Sequence, residues 1–169
     1  MASPLGCATP VEAPLSLIPF RLQPRSPRLR EGYEVRSEPS LCFDHLNHLM
    51  VQCGQAPRSE PRWQEVLSHS AWYFGVFAPD GRLVGFVRVT SDRALNANLW
   101  DLVTDPADPS RPEVLACLVH NAITRLRREM GGCSISLSAP PEALQALKQV
   151  GFVLDPGGIR AMGLTLRDP

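Results

Sequence analysis

Residues 72–89 read WYFGVFAPDGRLVGFVRV. Two runs rich in valine and aromatic side chains flank Ala78-Pro79-Asp80-Gly81. Proline presets φ for a turn, and Asp-Gly supplies a side-chain acceptor followed by a residue free to take positive φ. The stretch therefore predicts a hairpin of Trp72–Phe77 against Leu83–Val89. Downstream, a further strand is expected from about Leu95 to Thr104, then a loop holding Pro106, Pro109 and Pro112. Val114, Leu115, Leu118, Val119, Ala122, Ile123 and Leu126 fall on one face at helical spacing, which predicts a long helix from Arg111 to Met130, ended by Gly131-Gly132.

Outward from this centre the pattern alternates. Tyr33 to Arg36 predicts a short strand. Leu41 to Val51 predicts a helix capped by Ser40 and stopped at Gly54. A second short helix carries Trp63, Val66 and Leu67 after Pro61. On the other side, Cys133 to Leu137 is a strand, and Pro140-Pro141-Glu142 opens a helix closed by Gly151. Phe152–Leu154 and Met162–Leu166 are expected as final strands around Asp155-Pro156-Gly157-Gly158. Tyr33 and Tyr73 read as strand aromatics with hydroxyls at the surface.

The chain has 169 residues, 44% hydrophobic, with seventeen basic and seventeen acidic side chains. That length supports one core without a metal or disulfide staple. Balanced charge removes the field that draws a protein to nucleic acid or an anionic membrane, and no run is long enough to span a bilayer. The five cysteines are widely spaced with no C-x-x-C, so reduced thiols are expected, and no metal is assigned even though His45 and His48 lie three apart. Arg127 and Arg128 sit near a helix C-terminus, where cations are favoured, and read as a solvated face.

Residues 1–30 stand apart, with six prolines, Arg21, Arg25, Arg28 and Arg30, and Glu12 as the one acid. Prolines this dense exclude helix and central strand. We expect a flexible Pro/Arg-rich arm able to dock on a protein partner, followed by a single domain over residues 31–169. The expected setting is cytoplasmic, with a plastid as the alternative because the start is Arg-rich and poor in acids.

The order of elements, together with three local patterns, resembles the GNAT acetyltransferase superfamily. Asp80-Gly81-Arg82-Leu83-Val84-Gly85-Phe86-Val87-Arg88 is similar to the family's turn and third strand. Thr90-Ser91-Asp92, then Asn96-Ala97-Asn98-Leu99-Trp100-Asp101, then Val103-Thr104-Asp105-Pro106 resembles the cofactor approach of the cyanobacterial and plastid branch. Val150-Gly151-Phe152 looks like the family's late Leu-Gly-Phe. The resemblance implies an α/β (α+β) fold, a mixed and mostly antiparallel sheet flanked by about four helices. It also implies acetyl-CoA as cofactor and a primary amine, on a small molecule or a protein, as acceptor.

On this resemblance the cofactor's pantetheine pairs with the splayed end of the fourth strand, at Leu102, Val103 and Thr104. Its pyrophosphate sits on the next helix N-terminus, at Ser110, Arg111, Glu113 and Val114, where free N–H groups and the helix dipole attract an anion. The family writes this loop as Arg or Gln, two residues, Gly, one residue, then Gly or Ala. Here it reads Pro109-Ser110-Arg111-Pro112-Glu113-Val114. Ser110 to Glu113 also fits the S-x-x-E capping box, which would put a carboxylate beside the phosphates, with Arg111 as a single phosphate partner. The family's tyrosine proton donor falls on Leu147, which cannot donate. Its glutamate base falls on Asn98, which can hold a water. Asp101 is the better base, and Trp100 beside it is expected to raise its pKa. Two readings follow: an acetyl-CoA-dependent N-acetyltransferase, or a catalytically inactive module of the same fold that binds a protein partner.

Overall fold

The computed structural model describes residues 26–158. Most of the expected arm, including Cys7, and the expected strand Met162–Leu166 lie outside the described residues. The elements run β1 (Glu34–Ser37), α1 (Phe43–Gln52), α2 (Glu60–Ser68), β2 (Trp72–Phe77), β3 (Leu83–Ser91), β4 (Asn96–Thr104), α3 (Arg111–Glu129), β5 (Ser134–Leu137) and α4 (Leu144–Gln149), the last entered through a 3-10 turn at Pro141–Ala143. The strands form one sheet in the order β1-β2-β3-β4-β5. The first three pairings are antiparallel and β4–β5 is parallel, so the fold is the mixed α/β arrangement expected.

Strand alternation divides the core between the two sheet faces. Phe74, Val76, Val87, Val89, Ala97 and Leu99 pack with the apolar stripe of α3 and with Leu147 of α4. Leu83, Phe86 and Val103 point the other way, onto Leu46, Leu49 and Met50 of α1 and Trp63 of α2. Gly85 lets α3 settle on the sheet, since a Cβ there would lie 2.6 Å from Val114 Cγ1 and 2.9 Å from Leu118 Cδ1. The hairpin turn forms as expected, with Gly81 at φ 83° and its N–H donating to Ala78 O at 2.9 Å.

Several expectations change. α1 begins at Phe43 with Cys42 as its cap, and no side chain caps it. Residues 39–41 instead lie outside helix and strand: Leu41 packs under the sheet and Pro39 O accepts from the Tyr73 hydroxyl at 3.2 Å. Tyr33 likewise donates its hydroxyl inward, to Asp108 at 3.1 Å, so neither tyrosine presents the free surface hydroxyl expected. Phe152–Leu154 is not a strand, because the Phe152 N–H closes α4 by donating to Leu147 O at 3.1 Å. Pro27–Arg30, placed in the arm by composition, lie on the domain: Leu29 packs against the core and Pro27 O accepts from Cys117 Sγ at 3.5 Å. Arg125 is half-buried over Trp72 and paired with Glu38, whereas Arg127 and Arg128 lie on an exposed face as expected, with Arg127 donating to Val150 O.

The β3–β4 connection rests on Asp92, whose Oδ1 accepts from the N–H groups of Ala94, Leu95 and Asn96 at 2.9, 2.8 and 2.9 Å. These donors hold its carboxyl down from the ordinary 3.8 to about 2. A pKa lowered by folding means the stabilisation is fully present above the ordinary value and is lost as pH falls through the folded one. The melting temperature of the natural chain should therefore drop between pH 3.8 and about 2. Asp92→Asn, which keeps the acceptor but cannot titrate, should show a flatter profile there by circular dichroism; equal slopes would reject this role.

Candidate functional site

β4 is the strand that opens the site. Its parallel register with β5 runs from Asn96↔Ser134 to Leu99↔Leu137 and stops there, because β5 ends at Leu137 while β4 continues to Thr104. On its other side β4 stays paired with β3, but Phe86↔Val103 is followed by Arg88↔Trp100, so Val87 alone faces two residues, Asp101 and Leu102. This is a β-bulge, a device that re-aims side chains and bends a strand. Asp101 carries it at φ 52°, a left-handed conformation that aspartate and asparagine tolerate better than most residues.

The divergence leaves a crevice of about 250 Å³ lined by Asp101, Leu102 and Val103 from β4, Ser138, Ala139, Pro140 and Glu142 beyond β5, and Cys53 and Gln55 after α1. A larger hollow of about 520 Å³ lies along the far side of β5, against Leu144, Leu147 and Phe152. It contains none of the expected site residues.

The expected site residues separate. Leu102 and Val103 line the crevice; Thr104, next along β4, is buried and does not line it, with its Oγ1 accepting from Arg111 Nε at 3.1 Å and its O accepting from Cys53 Sγ at 3.3 Å. Asp101 also lines it. The group that reaches Asp101 is not the Trp100 ring but Arg88, whose Nε donates to Oδ2 at 2.5 Å. Trp100 is 45% exposed, and its Nε1 donates to Thr90 Oγ1 at 2.8 Å. Asn98 lies where β4 and β5 still pair, accepts from Ser136 Oγ, and does not line the crevice. Leu147, at the tyrosine position, is core.

The β4–α3 loop departs furthest from the expectation. Ser110 forms no capping box: its own N–H goes to Asp108 Oδ1 at 2.8 Å, the bond Glu113 would have needed. Ser110 Oγ and Glu113 Oε2 are buried without partners among the described residues, and Glu113 Oε1 faces Arg30 at 3.7 Å. Val114 is core, sealed under Gly85, and cannot touch a phosphate.

Backbone donors in this loop are nearly all taken. Asp105 N–H goes to Val84 O, that of Ala107 to Asp105 Oδ1, and that of Asp108 to Asp105 O. Arg111 N–H goes to Asp108 O and Val114 N–H to Ser110 O. Pro106, Pro109 and Pro112 have none to give. Among the described residues only the Glu113 N–H in this stretch is without a partner. The aspartates and prolines close the loop on itself, where the resemblance implies an open cradle of N–H groups.

Cys53, Arg88 and Glu142 belong to the site and were missed by sequence reasoning, since each reaches it through a register or a partner distant in sequence. Burial pushes the Cys53 thiol above its ordinary range, Arg111 pulls it down, and Asp105 and Glu142 push it up. The thiol therefore sits inside the electrostatic field of the crevice mouth.

No family model matches the chain. It is 32% identical over 132 residues to GCN5-related N-acetyltransferase 1, chloroplastic, of Arabidopsis thaliana, covering 75% of this chain and 64% of that protein. It is 31% identical over 120 residues to the uncharacterized N-acetyltransferase ycf52 of Porphyra purpurea, covering 69% and 68%. Serotonin N-acetyltransferase 2, chloroplastic, of Oryza sativa is 31% identical over 135 residues, covering 78% and 66%. The chain thus spans just under two thirds of the Arabidopsis and rice proteins. Among solved structures, a probable acetyltransferase from meticillin-resistant Staphylococcus aureus superposes with a TM-score of 0.67 at 15% identity, covering 79% of this chain and 100% of that one. A GNAT family protein from Streptococcus pneumoniae gives 0.61 at 15% identity, covering 80% and 99%. The chain belongs to the GNAT acetyltransferase superfamily, on the branch of the chloroplastic and ycf52 proteins.

Proposed function

We propose that the chain transfers the acetyl group of acetyl-CoA to a primary amine. The observation that carries this is the crevice between β4 and β5, opened by the bulge at Asp101 and walled by Leu102 and Val103. Among the described residues no strand lies beside the edge of β4 that turned toward β5 beyond Leu99, so its backbone groups suit an amide-bearing arm laid in the gap. The pantetheine end of acetyl-CoA therefore fits. The phosphate end fits through a side chain, Arg111, and not through the loop backbone. When bound, acetyl-CoA supplies an acetyl thioester.

The chain's own part is positioning and proton handling. Leu102, Val103, Ala139 and Pro140 give the crevice apolar walls that exclude water. An amine attacks only after losing a proton. Two carboxylates line the crevice, Glu142, which is held by Arg111, and Asp101 on β4; Arg88 fixes Asp101 through Oδ2, leaving Oδ1 as the oxygen that accepts the proton, directly or through a water. With leucine at the tyrosine position, the chain offers no phenolic proton to the departing sulfur, which would leave as the thiolate. Asn98 is assigned no part in proton transfer, since its side chain is engaged by Ser136.

The rice relative is named for serotonin, which makes a small aromatic amine the first acceptor to test. Two relatives are named chloroplastic, which favours the plastid alternative over the cytoplasmic expectation. Among the described residues no helix is long and apolar enough to cross a membrane. The inactive, partner-binding alternative draws no support from the relatives.

Calorimetric titration with acetyl-CoA, with desulfo-CoA as control, is expected to show binding on the order of micromolar, or about −8 kcal/mol. Mass spectrometry of a mixture of serotonin, an aliphatic diamine and a lysine peptide should then show one amine gaining an acetyl group. No heat up to millimolar ligand, from protein shown to be folded, would overturn the reading.

A further inference from the structure

Arg111 and Glu142 are 31 positions apart in sequence and meet across the mouth of the crevice. Arg111 is the first residue of α3, the element that follows β4; Glu142 lies in the turn that follows β5. Arg111 Nη2 donates to Glu142 Oε1 at 2.5 Å, while its Nε holds Thr104 Oγ1 at 3.1 Å. The pair therefore bridges the two strands where they have parted. Glu142 is itself a wall of the crevice.

The loop that should hold an anion has one backbone N–H left, and Arg82 is engaged by Asp80 and Asp105. A diphosphate arriving at this mouth must find its counter-charge in a side chain. Arg111 is the cation in place, and Glu142 already holds it.

We propose that Glu142 is a built-in competitor for the phosphate end of the cofactor: it occupies Arg111 across the crevice mouth, and an incoming diphosphate takes Arg111 from it. This rests on the acetyl-CoA reading above. A guanidinium exchanges one planar acceptor for another with little reorganisation, so carboxylate and phosphate compete for the same fork. Both partners are partly exposed, with side chains 31% and 41% accessible, so the pair is weak enough to be displaced. Cofactor affinity is then set by the difference between two partners of Arg111, not by the phosphate contact alone.

The test uses two ligands, acetyl-CoA and acetyl-pantetheine, which carries the same thioester arm without phosphates. Each is titrated into the natural chain, Glu142→Gln, Arg111→Gln and the double variant. Glu142→Gln should tighten acetyl-CoA about three- to tenfold and leave acetyl-pantetheine within about twofold. Arg111→Gln should weaken acetyl-CoA about tenfold, and in that background Glu142→Gln should no longer tighten it. Protection of Cys53 from iodoacetamide, read by peptide mass, should follow the same order, because the thiol lines the crevice.

If the natural chain binds acetyl-CoA and Glu142→Gln leaves it unchanged, the competitor is wrong and the cofactor reading stands. Tightening of both ligands alike would mean a steric gate instead. Tightening that survives Arg111→Gln would mean simple repulsion by Glu142; either result overturns the proposal. If neither ligand binds nor protects Cys53 in any variant, the cofactor reading fails and the competitor with it.

Discussion

Asp101→Asn is expected to lower turnover about 100-fold, the size of a lost general base, while acetyl-CoA affinity changes less than about twofold. Asparagine is the informative replacement for three reasons. It has the same shape. It tolerates the φ of 52° that the bulge requires, where alanine would add strain. It still offers an oxygen to Arg88 Nε, so the guanidinium is not stranded. What it cannot do is accept a proton. A purely structural role for Asp101, that of holding Arg88, would survive the change, and turnover would be nearly intact.

Asn98→Ala should change turnover by no more than about threefold, since the side chain is tied to Ser136 and does not line the crevice. A large loss there would reverse the two assignments.

Legibility in the sequence followed the range of the interaction. The hairpin at residues 72–89 and the stripe of α3 are local patterns with one solution each, and both formed as read. The strand β4 was placed nearly to its ends, which put Leu102, Val103 and Asp101 at the crevice. The loop after it was misread because two local motifs competed for one donor. Ser110-x-x-Glu113 is a capping box on paper, yet Asp108, two residues upstream, reaches the Ser110 N–H first. Val114 was assigned to phosphate by alignment with a loop, but Gly85 on β3 leaves a hollow that Val114 fills. Phe152–Leu154 is apolar enough for a strand, but the Phe152 N–H is taken by Leu147 O at the end of α4. Arg88–Asp101 and Arg111–Glu142 needed the strand register and the divergence of β4 from β5, which no spacing rule contains.

The largest stability effect is expected at Trp63. Its side chain is fully buried beneath the sheet, and Trp63→Ala should cost about 3–5 kcal/mol, the range for truncating a core aromatic. For a domain of this size that lowers the melting temperature by roughly 10 °C. Packing is only part of the reason. Trp63 Nε1 donates to Asn47 Oδ1 at 2.8 Å, and the same oxygen accepts from Arg58 N–H at 2.9 Å, while Asn47 Nδ2 donates to Arg58 O at 2.7 Å. Arg58 also stacks its guanidinium over the Trp63 ring at 4.8 Å. One asparagine of α1 thus ties together the α1–α2 connection and α2, and the indole is the third strand of the knot. Trp63→Phe keeps most of the apolar volume and removes the donor, so it should cost about 1 kcal/mol, and the difference between the two variants measures packing against hydrogen bonding. The consequence reaches the crevice, because Cys53 and Gln55 at the end of α1 form one of its walls. Chemical denaturation and acetyl-CoA titration on the same two variants should show stability and affinity falling together, most in Trp63→Ala. A variant that loses stability but binds acetyl-CoA undiminished would mean that the β4 edge alone defines the site and that the α1–α2 layer only covers the sheet.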